Sequence, residues 1–141
     1  MSTTPSVLFV CVKNGGKSRM AEALMRRQAG DAVEVHSAGT APGSAVNELS
    51  AAAVAEVGAD LRAGGPPRPV DPAVLTRVDR VVLLGDEVGL EPVPGMRGTI
   101  ERWRTDEPSE RGIEGMERMR LVRDDIERRC AALALELGVT S

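Results

Sequence analysis

A cysteine at position 11 opens a short segment whose residue types are typical of an anion-binding loop. Residues 11–18 read Cys-Val-Lys-Asn-Gly-Gly-Lys-Ser and join a short apolar run to a helical pattern. The glycine pair lets successive backbone N–H groups turn inward, and the positive end of the following helix also attracts an anion. In such surroundings the pKa of a thiol falls from about 8.5 to roughly 3.5–7.5. We therefore expect Cys11 to be a thiolate nucleophile beside a bound oxyanion.

The other residues of this loop are expected to hold the anion and to activate the thiol. Lys17 adds a full positive charge, and the Ser18 hydroxyl is placed to donate a hydrogen bond to the thiolate. Asn14 tolerates left-handed backbone angles, so we expect it to brace the loop. The backbone amides predicted to bind the oxyanion belong to Val12, Lys13, Asn14, Gly15 and Gly16.

Other interpretations of the same residues stay open. The phosphate-binding pattern G-x-x-x-x-G-K-[ST] matches Gly16, Lys17 and Ser18, but Cys11 stands where its first glycine belongs. The apolar run at 81–84, which leads to Asp86, would then supply a magnesium ligand. On that hypothesis the chain is a non-catalytic oxyanion- or nucleotide-binding module. A purely structural Cys11 is less favoured, because an Asn-Gly-Gly-Lys-Ser run that opens a helix has no packing rationale.

Apolar runs and helical periodicities alternate along the chain. Strands are expected at 7–10, 33–36, 81–84 and 99–103, and helices at 17–29 and 45–57. Asp71-Pro72 indicates the start of a short helix, with Asp as its cap and Pro in its first turn. A long C-terminal helix carries an apolar stripe formed by Met119, Val122, Ile126, Cys130, Leu133 and Leu137.

This alternation predicts an α/β fold. We expect a single domain, residues 1–141, built on a four-stranded parallel sheet with helices on both faces. Cys11 then lies at the carboxyl end of the first strand, which is where open α/β sheets bind their ligands.

Composition excludes several other functions. A formal net charge of −3 argues against a general nucleic-acid binder. No apolar run approaches the roughly 20 residues of a membrane helix, and the first residues lack the pattern of a signal peptide, so we expect no membrane association and a cytoplasmic location. One His and two Cys are too few for a tetrahedral zinc site, so no metal is expected.

The second cysteine has a different expected role. Cys130 falls on the apolar stripe of the last helix, which indicates an inert core residue. The chain then offers one reactive thiol and no internal partner for it. Any redox cycle would need a thiol from outside.

Four segments together resemble the low-molecular-weight protein tyrosine phosphatases and their arsenate reductase relatives. These are the Cys11–Ser18 loop, Met20–Ala23 after it, His36–Thr40 after the second strand, and Asp106–Pro108. The resemblance covers nearly the whole chain. It implies the phosphatase type of α/β fold, and it implies that Asp106 or Glu107 protonates the departing oxygen. The alternative interpretation of Asp-Glu-Pro is a plain solvated turn.

Two departures from the family pattern indicate the subfamily. The phosphatases carry Arg where this chain has Lys17, and Lys is a point charge without the planar fork that binds two oxygens. Thioredoxin-linked reductases of this fold carry two further cysteines after the third strand, whereas residues 85–92 contain none. Together with residues 14–21, 80–82 and 115–120, these features look most like the arsenate–mycothiol transferases.

That resemblance implies arsenate as the substrate, mycothiol as a co-substrate, no bound cofactor, and a separate mycoredoxin-like reductase as partner. The alternative is a phosphatase that acts on phosphate esters through a phosphocysteine intermediate. Trp103 is expected either to line the pocket or to pack beneath the acid loop. We also expect residues 64–69, with Arg19 and Arg68, to shape the thiol site.

Overall fold

Four parallel strands form the sheet that the apolar runs predicted. The computed structural model describes residues 4–139. Its strands are β1 (Ser6–Cys11), β2 (Glu34–Gly39), β3 (Arg80–Leu84) and β4 (Thr99–Trp103), in the spatial order β2-β1-β3-β4. All four predicted strands are confirmed. The second one continues three residues beyond the predicted end, because it pairs with β1 as far as Cys11.

Four helices connect and cover the strands. They are α1 (Lys17–Ala29), α2 (Glu48–Ala55), α3 (Pro72–Arg77) and α4 (Gly115–Glu136), with short 3₁₀ turns at Gly30–Ala32, Leu61–Gly64 and Pro108–Arg111. The Asp71 carboxylate accepts a hydrogen bond from the Ala73 N–H at 2.9 Å, which confirms the predicted cap of α3. The strands and helices together form one α/β domain on a single sheet, as predicted.

The predicted helix at 45–57 is wrong at both ends. The helix begins only after Asn47, whose side chain accepts from the Ser50 N–H at 2.8 Å and so caps α2. The backbone of the same residue is held by the anion loop, because the Asn47 N–H donates to the Gly15 carbonyl at 2.7 Å. Residues 45 and 46 therefore run along the loop. At the other end the helix stops at Ala55, and residues 56–58 form turns.

The two faces of the sheet bury separate apolar clusters. Val7 and Phe9 point into a core shared with α1, α2 and α4, whereas Leu8 and Val10 point into a second core under α3 and the segment after β3. Trp103 is 6% exposed, and its ring lies 5.6 Å from that of Phe9. Trp103 therefore packs in the first of these cores, against Phe9.

The apolar stripe of α4 packs on the first of these cores. Its four central members (Val122, Ile126, Cys130 and Leu133) are buried, and the two at its ends are partly buried. Among residues 4–139, no helix combines the length and apolarity needed to cross a bilayer.

Candidate active site

The loop between β1 and α1 turns its carbonyl groups away from its centre. The carbonyls of Cys11, Val12 and Lys13 accept hydrogen bonds of 2.8–3.1 Å from the amides of Thr40, Ala41 and Gly43. This arrangement leaves the amides of the loop available to an anion. Gly39 permits the approach, because a Cβ there would lie 2.6 Å from the Val12 carbonyl oxygen. The segment after β2 thus shapes the loop.

Asn14 braces the loop as predicted. It adopts a φ of 54°, in the left-handed region, and its side chain is buried. The Arg68 N–H donates to Asn14 Oδ1 at 3.0 Å, which fixes the orientation of the amide. The NH₂ group therefore faces two hydroxyls, those of Ser18 at 2.8 Å and Ser37 at 3.0 Å.

These contacts favour one direction for the hydrogen bond to Cys11, with Ser18 as the donor. Ser18 Oγ lies 2.9 Å from Cys11 Sγ. Because Asn14 already donates to that hydroxyl, the hydrogen of Ser18 remains for the sulfur. The Ser37 hydroxyl in turn donates to Glu22 Oε1 at 3.0 Å. The network therefore presents a donor to the thiol, as a stabilised thiolate requires.

A buried ion pair lies beneath this network and was not foreseen. Arg19 is 0% exposed and Glu22 is 2% exposed, and their Nε and Oε1 atoms lie 3.3 Å apart. Arg19 also donates to the carbonyls of Leu61 and Gly65 at 2.9 and 2.6 Å. Burial lowers the pKa of the Arg19 guanidinium, and the charge of Glu22 opposes that shift.

This geometry corrects the expectation that Arg19 helps to shape the thiol site. Arg19 is enclosed by protein and contacts no open surface, so it cannot bind a second substrate. The backbone of Arg68 braces Asn14, and its guanidinium lies 3.7 Å from Glu22. The segment at residues 64–69 therefore supports the loop from below.

The two predicted acids differ in their surroundings. Glu107 forms an ion pair with Lys17, which brings one carboxylate to the edge of the loop. Asp106 instead accepts two hydrogen bonds from Arg111, at 2.9 and 3.1 Å, and this lowers the pKa of its carboxyl. Each carboxylate thus has a cationic partner, but of the two it is Glu107 whose partner belongs to the anion loop. That position favours Glu107 over Asp106 as the proton donor.

Cys11 opens into a cavity of about 350 Å³. Its walls are Val12, Lys13, Lys17, Leu84 and Glu87, with Cys11 at the base. Glu87 was missed by the sequence analysis, although it follows β3 at the same edge of the sheet. Asp86, the magnesium ligand of the nucleotide hypothesis, is exposed and pairs with Arg104 at 3.2 Å.

Cys130 lies in the core, as predicted. It is 0% exposed on α4, and its Sγ lies 3.7 Å from the Ala21 carbonyl of α1. Burial raises the pKa of this thiol well above its ordinary value. Cys130 therefore cannot take part in a relay from Cys11 without local unfolding.

The fold and site define a class: an α/β protein that holds a thiol within an oxyanion loop at the carboxyl end of a parallel sheet. The family model described as "Low molecular weight phosphotyrosine protein phosphatase" matches residues 6–140. The chain belongs to this family.

Its relatives include arsenate reductases. A Halobacterium salinarum protein named "Putative arsenate reductase" is 36% identical over 133 residues, covering 89% of this chain and 87% of that protein. An arsenate reductase from Archaeoglobus fulgidus has 30% identity and a TM-score of 0.73, covering 94% of this chain and 98% of that one. A thioredoxin-dependent arsenate reductase from Corynebacterium glutamicum has 29% identity and a TM-score of 0.78. There the match covers 97% of this chain but 63% of that one.

Proposed function

We propose that this chain is an arsenate reductase that passes arsenate to an external small thiol, mycothiol. The observation that carries the proposal is the contrast between the two cysteines. Cys11 receives a hydrogen bond inside an oxyanion loop, whereas Cys130 is enclosed between two helices. One thiol is poised to react and the other is withdrawn, so the acceptor comes from solution.

In the first step, arsenate binds to the amides of residues 12–16, with Lys17 balancing its charge. The Cys11 thiolate attacks arsenic, a sulfur–arsenic bond forms, and one arsenic–oxygen bond breaks. The entering arsenate displaces Glu107 from Lys17, and Glu107, after taking a proton from solvent, donates it to the departing oxygen, which leaves as water. Arsenic stays pentavalent throughout this step.

In the second step, the mycothiol thiolate attacks arsenic and Cys11 leaves as a thiolate, so no electrons are exchanged. A mycoredoxin-like protein then attacks the mycothiol sulfur. Arsenite departs with the electron pair of the broken bond, so that arsenic gains two electrons while the two thiols become a mixed disulfide. In a ternary variant of this scheme, mycothiol attacks arsenate that is held in the loop without a bond to Cys11.

Mass spectrometry separates the two routes. Protein quenched with arsenate alone, without any thiol, gains the mass of an arsenate adduct on Cys11 in the covalent route. Unmodified protein under these conditions favours the ternary route. The Cys11→Ser variant is the control, because it retains the loop but not the nucleophile.

The principal test is arsenate turnover with mycothiol and mycoredoxin, beside hydrolysis of p-nitrophenyl phosphate. We expect turnover that requires mycothiol and disappears in Cys11→Ser. Hydrolysis of the ester without arsenate turnover would instead make this a phosphatase. If both assays are silent and ATP with magnesium protects the chain against thermal unfolding, the non-catalytic nucleotide module is correct.

A phosphatase remains the second candidate because of the contact between Lys17 and Glu107. That contact places a carboxylic acid beside the loop, where the leaving group of a phosphate ester would need a proton. The Lys17→Arg variant restores the bidentate cation of the phosphatases. A gain of p-nitrophenyl phosphate hydrolysis in this variant supports a phosphatase cradle that Lys17 has weakened.

Two variants distinguish the candidate acids. Glu107→Gln is expected to lower turnover by about a hundredfold or more, the usual contribution of a general acid. Asp106→Asn removes the partner of Arg111 and is expected to change turnover little. The reverse pattern would assign the proton to Asp106.

A further inference from the structure

A second cavity lies beside the anion loop and has no assigned role. It encloses about 590 Å³, within the usual range of about 300–1,000 Å³ for small-molecule sites. One wall is the loop itself, at Gly15 and Gly16, and the others are the start of α2 and the first turns of α4. We call it the α2–α4 groove. Lys13 and Lys17 line both this groove and the Cys11 cavity, so the two spaces adjoin.

Part of the wall of the α2–α4 groove is apolar, and the residues that line it include no aromatic ring. Met20, Met119 and Val122 face it from two helices, and Leu49, which is 41% exposed, stands on its rim. A site for an aryl phosphate would normally present an aromatic ring for stacking. The groove is therefore better suited to an aliphatic ligand.

Two cationic side chains that line the groove, Arg118 and Lys13, have few partners within the protein. Arg118 Nε is buried and has no hydrogen-bond partner, and the nearest carboxylate oxygen to the Arg118 guanidinium, from Glu114, is 3.7 Å away. Within residues 4–139, Lys13 has no carboxylate within salt-bridge distance. Because the Nε atom is closed to solvent, a ligand oxygen would bind the terminal nitrogens of this 33%-exposed side chain, whose nearest carboxylate partner is the distant Glu114. The Lys13 ammonium and the Arg118 guanidinium are hydrogen-bond donors only, so they favour a ligand with many oxygen acceptors.

We propose that the α2–α4 groove binds the body of the acceptor thiol, with its oxygen atoms on Lys13 and Arg118 and its sulfur directed past Lys17 toward Cys11. This inference rests on the proposed function, because only a transfer to an external thiol requires such a ligand. The chemistry it names is a small aliphatic thiol whose body carries hydroxyl, carbonyl or carboxylate oxygens. Mycothiol supplies uncharged hydroxyl and amide oxygens, whereas glutathione supplies carboxylates.

An amide NMR titration tests the site without requiring turnover. The probes are S-methyl mycothiol and S-methyl glutathione, neither of which can react, each added in the presence of inorganic phosphate to fill the loop. We expect one probe to shift the amides of residues 45–50 and of the first turns of α4. Shifts confined to residues 64–69, or no shifts with either probe, would overturn the proposal.

Matched variants test the contacts. Arg118→Gln is expected to weaken binding of the probe about tenfold, the effect of losing one charge-assisted hydrogen bond. Arg128→Gln is the control, since Arg128 is an exposed residue of the same helix that does not line the groove. Leu49→Trp fills the groove from its exposed rim and should weaken binding without affecting the core. Equal affinities in all three variants and the native chain would contradict the assignment.

Kinetics then separate this inference from the proposed function. In Arg118→Gln we expect a raised KM for the thiol with an unchanged KM for arsenate. Arsenate turnover with an unchanged thiol KM would retain the proposed function and reject the groove. Groove-specific NMR shifts in a chain that turns over no arsenate would retain the groove as a binding site and reject the proposed reaction.

Discussion

The Asn14→Asp variant tests the direction of the hydrogen bonds that reach Cys11. In the native loop the Asn14 amide donates to Ser18, which leaves the Ser18 hydrogen for the sulfur. A carboxylate can only accept, so Ser18 would donate to it and have no hydrogen left for Cys11. Aspartate tolerates the left-handed φ, and it can still accept from the Arg68 N–H. The variant thus reverses the hydrogen bond to Ser18, removes the donation to Ser37, and leaves the backbone in place.

The expected decrease in the reactivity of Cys11 follows from the loss of the hydrogen bond that Ser18 donates to its thiolate. A hydrogen bond to a charged group contributes about 1.5–3 kcal/mol, and about 1.4 kcal/mol corresponds to a factor of ten. The new negative charge adds to the loss, because Asn14 and Cys11 flank the same buried hydroxyl, where salt screens weakly. We therefore expect alkylation of Cys11 by iodoacetamide at mildly acidic pH to slow by about tenfold to a hundredfold.

Asn14→Gly is the matched control for this assay. It accepts the positive φ and removes the amide donor, but it adds no competing acceptor, so Ser18 can still donate to Cys11. We expect a clearly smaller decrease in its alkylation rate. If Asn14→Asp reacts as fast as the native chain, with its circular dichroism unchanged, then Ser18 does not donate to the thiolate and the reasoning is wrong.

Three further predictions concern stability and the second thiol. Arg19→Met should lower the free energy of unfolding in urea by about 3–5 kcal/mol, since it leaves Glu22 charged and buried, and the double variant with Glu22→Met should recover part of the loss. Cys130→Ala should leave Cys11 alkylation unchanged and reduce stability by about 1 kcal/mol; loss of arsenate turnover would give Cys130 a role that its burial denies. The hydrogen bonds from Arg120 lower the pKa of Glu56 to about 2, so its stabilising contribution is present at neutral pH and is lost as the pH falls from about 4.5 to about 2. NMR titration should find that low pKa in the native chain and a higher one in Arg120→Gln, which stays below the ordinary value because Arg123 still donates to Glu56 at 2.9 Å.

The fold was predictable because its signals are local. Each strand is an apolar or alternating run, and Asp71-Pro72 is a cap that depends on no distant residue. The helix at 45–57 failed for a non-local reason. Its first residues have helical composition, but the Asn47 N–H is held by the Gly15 carbonyl, about thirty residues earlier in the chain. Tertiary contact therefore overrode local propensity.

The site was predictable where it is contiguous and not where it is assembled. Cys11, Asn14 and Ser18 lie in one loop, and their contacts match the expectation. Ser37 and Glu22 come from other elements, and only the fold brings them to Asn14. One signal was available, since Glu22 lies one helical turn after Ser18, on the face of α1 that also carries Met25 and other buried residues. A carboxylate on a buried face requires a partner, and that requirement points to a network.

The buried ion pair between Arg19 and Glu22 also supports the hydrogen bonds that reach Cys11. Glu22 accepts a hydrogen bond from the Ser37 hydroxyl, and the Asn14 amide donates to both Ser37 and Ser18. Ser18 in turn contacts the Cys11 sulfur. The first charge of this series is balanced inside the protein by Arg19, so it needs no bound oxyanion to neutralise it. Lys17 stands apart from the series and pairs with Glu107. An entering oxyanion therefore competes with a carboxylate for Lys17 while the donor to Cys11 stays in place, which keeps activation of the thiol independent of substrate binding.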